Sequence, residues 1–216
     1  MTTLRAIFIG SLSPLPPEGQ PTGIFKRPVE SAEITPAGLV GDHQADRRFH
    51  GGPEKAVHHY AAESYARLAA DHPALAAALV PGSLGENLST QGWTEDNVHI
   101  GDVFRIGPVR LQVSQPRSPC WKIDHRFGVD DLSRGIAAAA ITGWYYRVLV
   151  PGRVAVGDPV ERLAQEADPI SISRFWQVVL AHRPDPKDLA RIAASDGLDA
   201  AWRAKIAKRM DWLNRG

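Results

Sequence analysis

The chain has 216 residues, enough to bury a core without disulfide or metal staples. Apolar residues make up 44% and charged residues 23%, which excludes a chain that is disordered throughout. Lys and Arg number 25 against 24 Asp and Glu, so no global positive field marks a nucleic-acid partner, and no apolar run approaches the roughly 20 residues of a membrane span.

The predicted elements begin with Leu4–Gly10, an apolar, β-branched run that reads as a strand and enters a Pro-rich turn at Ser13–Pro17. Val29–Thr35 reads as a second strand, Gly38–Pro53 as a polar loop and Lys55–Tyr60 as a short strand. In Ala61–Asp71, Tyr65, Leu68 and Ala69 fall at helical spacing, and Pro73 closes the helix. Ala74–Val80 reads as a helical turn or two. Glu86–Ser89, Val98–Ile100, Val103–Ile106 and Val109–Val113 follow as strands, the last three divided by Gly101-Asp102 and Gly107-Pro108. Such closely spaced short strands point to a barrel or a sandwich. Cys120–Phe127 and Asp130–Ile141 look helical, and Tyr145–Val150 and Val154–Leu163 return to strand.

After Ala164 the texture changes. Ser171–Ala181, Pro186–Ala194 and Asp199–Asn214 read as helices, with Ser171 and Asp199 as N-caps and Pro186 at a first helical position. Trp202, Ile206, Met210 and Leu213 share one apolar face, which has three placements: the barrel, the other helices or a second subunit in a homodimer. Arg203, Lys205, Lys208 and Arg209 read as a solvated surface before a nucleic-acid site. The predicted division is residues 1–164 and 165–216. The predicted class is mainly β with helices, followed by a small all-α three-helix domain.

Two constellations can carry chemistry. The first runs from Gly41 to Lys55, with His58 and His59 beyond it. Gly51 and Gly52 let the backbone approach a ligand. Arg47, Arg48 and Lys55 can meet an oxyanion, and His50, His58 and His59 can move protons or bind metal. A turn with solvated charges is the plain alternative. The spacing matches neither a P-loop nor a Rossmann fingerprint.

The second is Ser114–Lys122, where Pro116 and Pro119 stiffen the approach to Cys120, the lone cysteine. Placed at a helix start beside Arg117 and Lys122, the thiolate is favoured, as a nucleophile or a soft metal ligand. A buried structural cysteine is the alternative. Zinc held by Cys120, His125, His58 and His59 lacks the usual spacing. A nucleophilic pair of Cys120 with His50 or His59 is compatible with the sequence. Glu86 and Asn87 can point into a pocket or serve the backbone. A lone cysteine and no secretory leader suit a cytoplasmic protein.

Gly38-Leu39-Val40-Gly41-Asp42, His50-Gly51-Gly52-Pro53-Glu54-Lys55-Ala56, Gly85-Glu86-Asn87-Leu88, Gly101-Asp102 and Ser114–Cys120 occur in this order. Together they resemble the MOSC domain, the molybdenum-cofactor sulfurase C-terminal module, and particularly its stand-alone YiiM-like branch, whose chains also end in a small helical domain. The resemblance runs from about Ala6 to Leu163. It implies a β-barrel-like domain holding a pterin-based molybdenum cofactor, with Cys120 as the molybdenum ligand. It makes Arg47, Arg48, His50, Lys55, His59 and Arg117 candidates for phosphate, pterin and proton delivery, with Gly51 and Gly52 beside them. Asn87 becomes a candidate contact for pterin or substrate, and Cys120 and His59 the catalytic pair.

The implied activity is reduction of N-hydroxylated compounds, such as hydroxylaminopurine-type bases, to amines in detoxification. Electrons would come from a separate flavoprotein reductase, because one cysteine cannot hold a four-cysteine iron–sulfur cluster. The alternative is a non-catalytic carrier of the cofactor or of sulfur. A pyridoxal phosphate Schiff base at Lys55 has no positive support in the sequence.

Overall fold

The structure is a computed structural model that describes residues 2–46, 50–213 and 215. Its strands are β1 (Leu4–Ile9), β2 (Ser13–Leu15), β3 (Gln20–Thr22), β4 (Arg27–Val29), β5 (Ser31–Thr35), β6 (Gly38–Leu39), β7 (Val57–Ala61), β8 (Leu88–Thr90), β9 (Val103–Ile106), β10 (Val109–Pro116), β11 (Trp144–Val150), β12 (Gly152–Ala155) and β13 (Val160–Ala164). The α-helices used below are α1 (Ala62–Asp71), α2 (Lys122–Phe127), α3 (Leu132–Ala138), α4 (Ile172–Leu180), α5 (Pro186–Ala194) and α6 (Ala200–Leu213).

The main sheet runs β13-β9-β10-β11-β7-β8-β1-β4, and β5, β6 and β12 form a smaller one. Neighbours in the main sheet are antiparallel except β7 and β8, which run parallel through the crossover that includes α1. The ladder does not close among the described residues. It curls toward closure, however: Leu4 donates to the Asp158 carbonyl at 2.8 Å and Gly157 donates back to Leu4 at 2.8 Å. The expected fold class, mainly β with helices and a barrel-like core followed by three helices, is what the chain adopts.

Several boundaries move, each for a local reason. The stretch Val29–Thr35 divides at Glu30, so that β4 joins the main sheet and β5 the smaller one. Val154–Leu163 divides into β12 and β13 at a turn closed by Asp158 N–H on the Ala155 carbonyl, 3.1 Å. Val98–Ile100 joins no ladder; Ile100 N–H and Val98 C=O bond to Ile170 and Ile172 instead, at 3.0 Å each. That segment therefore ties the barrel to the helical tail. β10 extends to Pro116 because a register shift after Val113 lets Gln115 and Pro116 keep pairing with Tyr145 and Trp144.

The tail is set by its caps and by one aromatic wedge. Ser171 Oγ accepts from Arg174 N at 3.1 Å, Asp185 Oδ1 accepts from Lys187 N at 2.8 Å, and Asp199 Oδ1 accepts from Trp202 N at 2.6 Å. Trp202 is buried, edge-on to Phe175 at 4.9 Å and to Trp176 at 5.8 Å. These rings are continuous with the sheet core of Phe104, Trp144 and Tyr146, while Met210 and Leu213 pack against the same core. The apolar face of the last helix thus packs on the other two helices of the tail.

Candidate functional site

The site begins with strand alternation in β7. Successive side chains of a strand point to opposite faces, so His58 and His59 part company. His59 turns into the core: Nε2 lies 2.8 Å from Thr90 Oγ1, Nδ1 lies 3.3 Å from Tyr146 Oη, and the ring stacks on Trp144 at 4.5 Å. Burial pushes its imidazole down to about 3. His59 lines neither cavity described below, which corrects its expected role in proton delivery.

His58 turns the other way, into an inner pocket. Its ring faces Tyr145 at 5.2 Å, and its Nε2 is buried without a partner. Burial first, and then the Arg117 charge, hold its pKa well below the usual histidine value.

The pocket floor is an ion pair placed by the Gly38–Pro53 loop. Asp42 accepts from Gly10 N at 2.8 Å, Lys26 Nζ at 2.7 Å, Gln44 Nε2 at 3.1 Å and Asn87 Nδ2 at 2.9 Å. The Lys26 and Asp42 side chains are almost wholly buried. Burial lowers the pKa of Lys26, and Asp42 opposes that by charge and hydrogen bond. Asn87 lines the pocket but also works as a bracket. Its Nδ2 also reaches the Phe8 carbonyl at 3.2 Å, and its Oδ1 accepts from His58 N at 3.1 Å. Glu86, next to it, faces away from the pocket. It accepts from Tyr65 Oη at 2.8 Å and from Gly82 N, and burial raises its pKa.

Arg117 follows the end of β10 and is buried. Nη2 donates to the Leu84 carbonyl at 3.1 Å, while Nη1 has no partner. The Tyr145 phenol faces the same guanidinium, so Arg117 presents its charge to the pocket from a wall shared with Tyr145. Cys120 is half-buried, two residues ahead of α2 rather than on its first turn.

An outer cavity of about 620 Å³ adjoins the inner pocket. Cys120, His50, Lys55, Lys122 and Tyr145 line both, so the cysteine stands in the shared wall. Burial, then the charges of Arg117, Lys122 and Lys55, push His50 down to about 4. Burial raises the Tyr145 phenol, and Arg117 opposes this.

Gly51 and Gly52 line neither cavity. Gly52 has φ +91° and opens the 3-10 turn Pro53–Lys55, and a Cβ there would meet nothing within 4 Å. Its positive φ sets the turn that carries Lys55, and the space beside it is open. Arg47 and Arg48 lie outside the described residues. Cys120, His125, His58 and His59 do not converge on a metal-ligand cluster among the described residues, since His125 faces Glu18 at 2.9 Å and His59 is in the core. Lys26, Tyr145 and Lys205 are pocket residues that sequence reasoning missed, because no local motif marks them.

The MOSC domain profile matches residues 46–161. The chain is 38% identical over 195 residues to Protein YiiM of Escherichia coli (strain K12), covering 89% of this chain and 86% of that protein. The crystal structure of YiiM from Escherichia coli superposes with a TM-score of 0.82 at 30% identity, covering 98% of this chain and 94% of that one. A protein named Reductase from Gibberella moniliformis is 34% identical over 145 residues, 67% of this chain and 26% of that protein. On these matches, the chain belongs to the MOSC domain family, in its YiiM-like branch.

Proposed function

We propose that this protein is an oxidoreductase that uses a molybdenum cofactor to reduce N-hydroxylated compounds, hydroxylaminopurine-type bases among them, to amines. The observation that carries the reading is Cys120 in the wall between two cavities, beside the unpartnered buried Nη1 of Arg117. The relative named Reductase supports the reaction class.

The residues present fit such a group. A thiolate suits molybdenum as a soft ligand, and Arg117, Lys26 and Lys122 suit an anionic, oxygen-rich pterin. When bound, the cofactor supplies the two-electron chemistry that the side chains lack. Reduction of R–NH–OH consumes two electrons and two protons and yields R–NH₂ and water.

The chain's own groups then do three things. Cys120 Sγ binds the metal. Arg117 and Lys26 hold negative charge in the buried pocket, where Asp42, itself bracketed by Asn87, fixes Lys26. Tyr145 Oη and His50 line both cavities with Cys120, so the phenol can donate a hydrogen bond to the leaving hydroxyl while the neutral His50 imidazole accepts and passes on protons that come from solvent. We assign this relay to Tyr145 and His50, since His59 lines neither cavity. A separate flavoprotein reductase supplies the electrons, and we place the reaction in the cytoplasm. No helix among the described residues is long and apolar enough to cross a membrane.

The test is elemental analysis of protein from a cofactor-competent host and from a cofactor-deficient one, native beside Cys120→Ala. Molybdenum in the native chain and its loss in the variant, with a matching loss of hydroxylamine reduction, is the expected result. Equal molybdenum in both forms removes Cys120 as ligand. Full loading without turnover, under any reductase and substrate tried, favours a carrier.

A further inference from the structure

We propose that Asp199 of the helical tail is a positioning residue for the site: it clamps Gln115 to the turn that carries Lys55, and it supplies the negative charge that this lysine faces. The proposal rests on reading the cavities around Cys120 as the site, and it holds whichever group fills them.

The geometry joins three segments far apart in the chain. Asp199 is buried at the start of α6, and its two oxygens serve different elements. Oδ1 accepts from Trp202 N at 2.6 Å and caps the helix, while Oδ2 accepts from Gln115 Nε2 at 2.5 Å. Asp199 N donates to the Ser114 carbonyl at 3.0 Å, so the helix start is stitched to the end of β10. The bonds then run on to the turn Pro53–Lys55. Gln115 Nε2 reaches the Glu54 carbonyl at 3.4 Å, and Ser114 Oγ donates to the same carbonyl at 2.6 Å. The Glu54 side chain is paired with Arg147 of β11 at 2.9 Å. Gln115 and Lys55 both line the outer cavity, and Lys55 lines the inner pocket as well.

Capping alone asks for no charge here, because Ser, Thr and Asn cap helices too. A carboxylate differs from them in two ways. It only accepts, which fixes the Gln115 amide with its N–H groups toward Asp199 and Glu54. It also brings a full charge into a buried wall. Among the described residues no ion pair within 4 Å includes Asp199, so that charge acts on the surrounding cations at longer range.

Lys55 is the cation that responds. Burial lowers its pKa, Asp199 raises it, and Lys205 of α6 lowers it by less than Asp199 raises it. Asp46, His50 and Lys122 complete the charged and titratable lining of the outer cavity. A charged Lys55 is in turn one of the cations that keep His50 neutral, behind burial, Arg117 and Lys122. The tail thus reaches the proton relay through one lysine.

The experiment reads single lysines in the cofactor-free chain by competitive acetylation with acetic anhydride from about pH 7 to 11, each followed by mass spectrometry. The proteins are the native chain, Asp199→Asn, Asp199→Ser and the double variant Asp199→Asn with Gln115→Glu, all compared for melting temperature. Both single substitutions keep a capping side chain, so either one serves if the other is unstable. Lys187, exposed on α5, reports any global change. The Lys55 midpoint is expected to fall by about one pH unit in the single variants, with Lys187 unmoved. The double variant returns a carboxylate to the link from the β10 side and is expected to bring the midpoint back. An unmoved Lys55 in the single variants, an equal shift at Lys187, or a midpoint that stays low in the double variant overturns the proposal.

Cofactor loading is measured separately. A Lys55 shift in a chain that takes up no molybdenum from a cofactor-competent host keeps the positioning role and removes the reductase reading. Molybdenum uptake with an unmoved Lys55 does the reverse.

Discussion

Strand β7 divides two environments that are equally buried and differently finished. On the core face, His59 has Thr90 on one nitrogen, Tyr146 on the other and Trp144 stacked against it. On the pocket face, His58 and Arg117 each keep a buried nitrogen without a partner. The contrast shows that burial of a polar side chain does not by itself mark function. What separates the faces is the cavity: Trp144 Nε1 is also unpartnered, but in the closed core, whereas His58 and Arg117 line the pocket, where a ligand can recover the about 1–3 kcal/mol that an unpaired buried donor costs.

The largest effect is expected where the pocket face is tied to the scaffold. Asp42→Ala leaves the Lys26 ammonium buried without its partner and should cost about 3–5 kcal/mol in chemical denaturation. Adding Lys26→Met should restore most of that stability while ligand binding stays lost. A single-variant loss below about 1 kcal/mol would show that Asp42 is not the hub of the pocket.

The two histidines give the sharpest comparison. His59→Ala should destabilise by about 1–3 kcal/mol, since Thr90 and Tyr146 lose a buried partner. His58→Ala should stay within about 1 kcal/mol yet reduce molybdenum uptake several-fold. Equal stability losses in the two variants would break the distinction between the faces.

The same comparison has a pH signature. In the folded chain His59 titrates at about 3, against an ordinary 6.5. Between those values the unfolded state binds a proton that the folded state does not, so stability is full above 6.5 and falls as pH drops toward 3. Urea midpoints at neutral pH and at about pH 5 should fall further apart for the native chain than for His59→Gln. An identical drop in both would mean that this imidazole is not buried neutral.

A more local effect is expected at the turn that carries Lys55. Gly52→Ala meets no steric obstacle but must hold φ +91° with ψ 169°, backbone that only glycine adopts readily, for a loss of about 1–3 kcal/mol. A stabilised variant would show that this glycine is not needed for the turn.

Some of this was legible in the chain and some was not. Pro186–Ala194 is a helix over the residues expected, because Asp185 and Pro186 supply its start locally. Val103–Ile106 is likewise as expected, between two turn dipeptides. Val98–Ile100 has the composition of a strand, but its partners lie in the tail, where it makes an isolated bridge at His99 and Ser171. Of the site, Cys120, Arg117, His50, Lys55 and Asn87 were all marked by local motifs, and the structure places all five around the pocket. The sequence marks His58 and His59 alike, and the strand turns His58 toward the pocket and His59 into the core, since a one-residue step in a strand reverses the face.

Local chemistry determined the caps, the turns, the strand-rich order and the membership of the motif set, because these depend on residues within a few positions of one another. Tertiary structure alone decided that His58 and not His59 faces the inner pocket, that Lys26 and Tyr145 join Cys120 in its lining, and that Lys205 lines the outer cavity. Each of those outcomes joins segments far apart in the chain. Only sheet pairing and the packing of Trp202 bring them within reach.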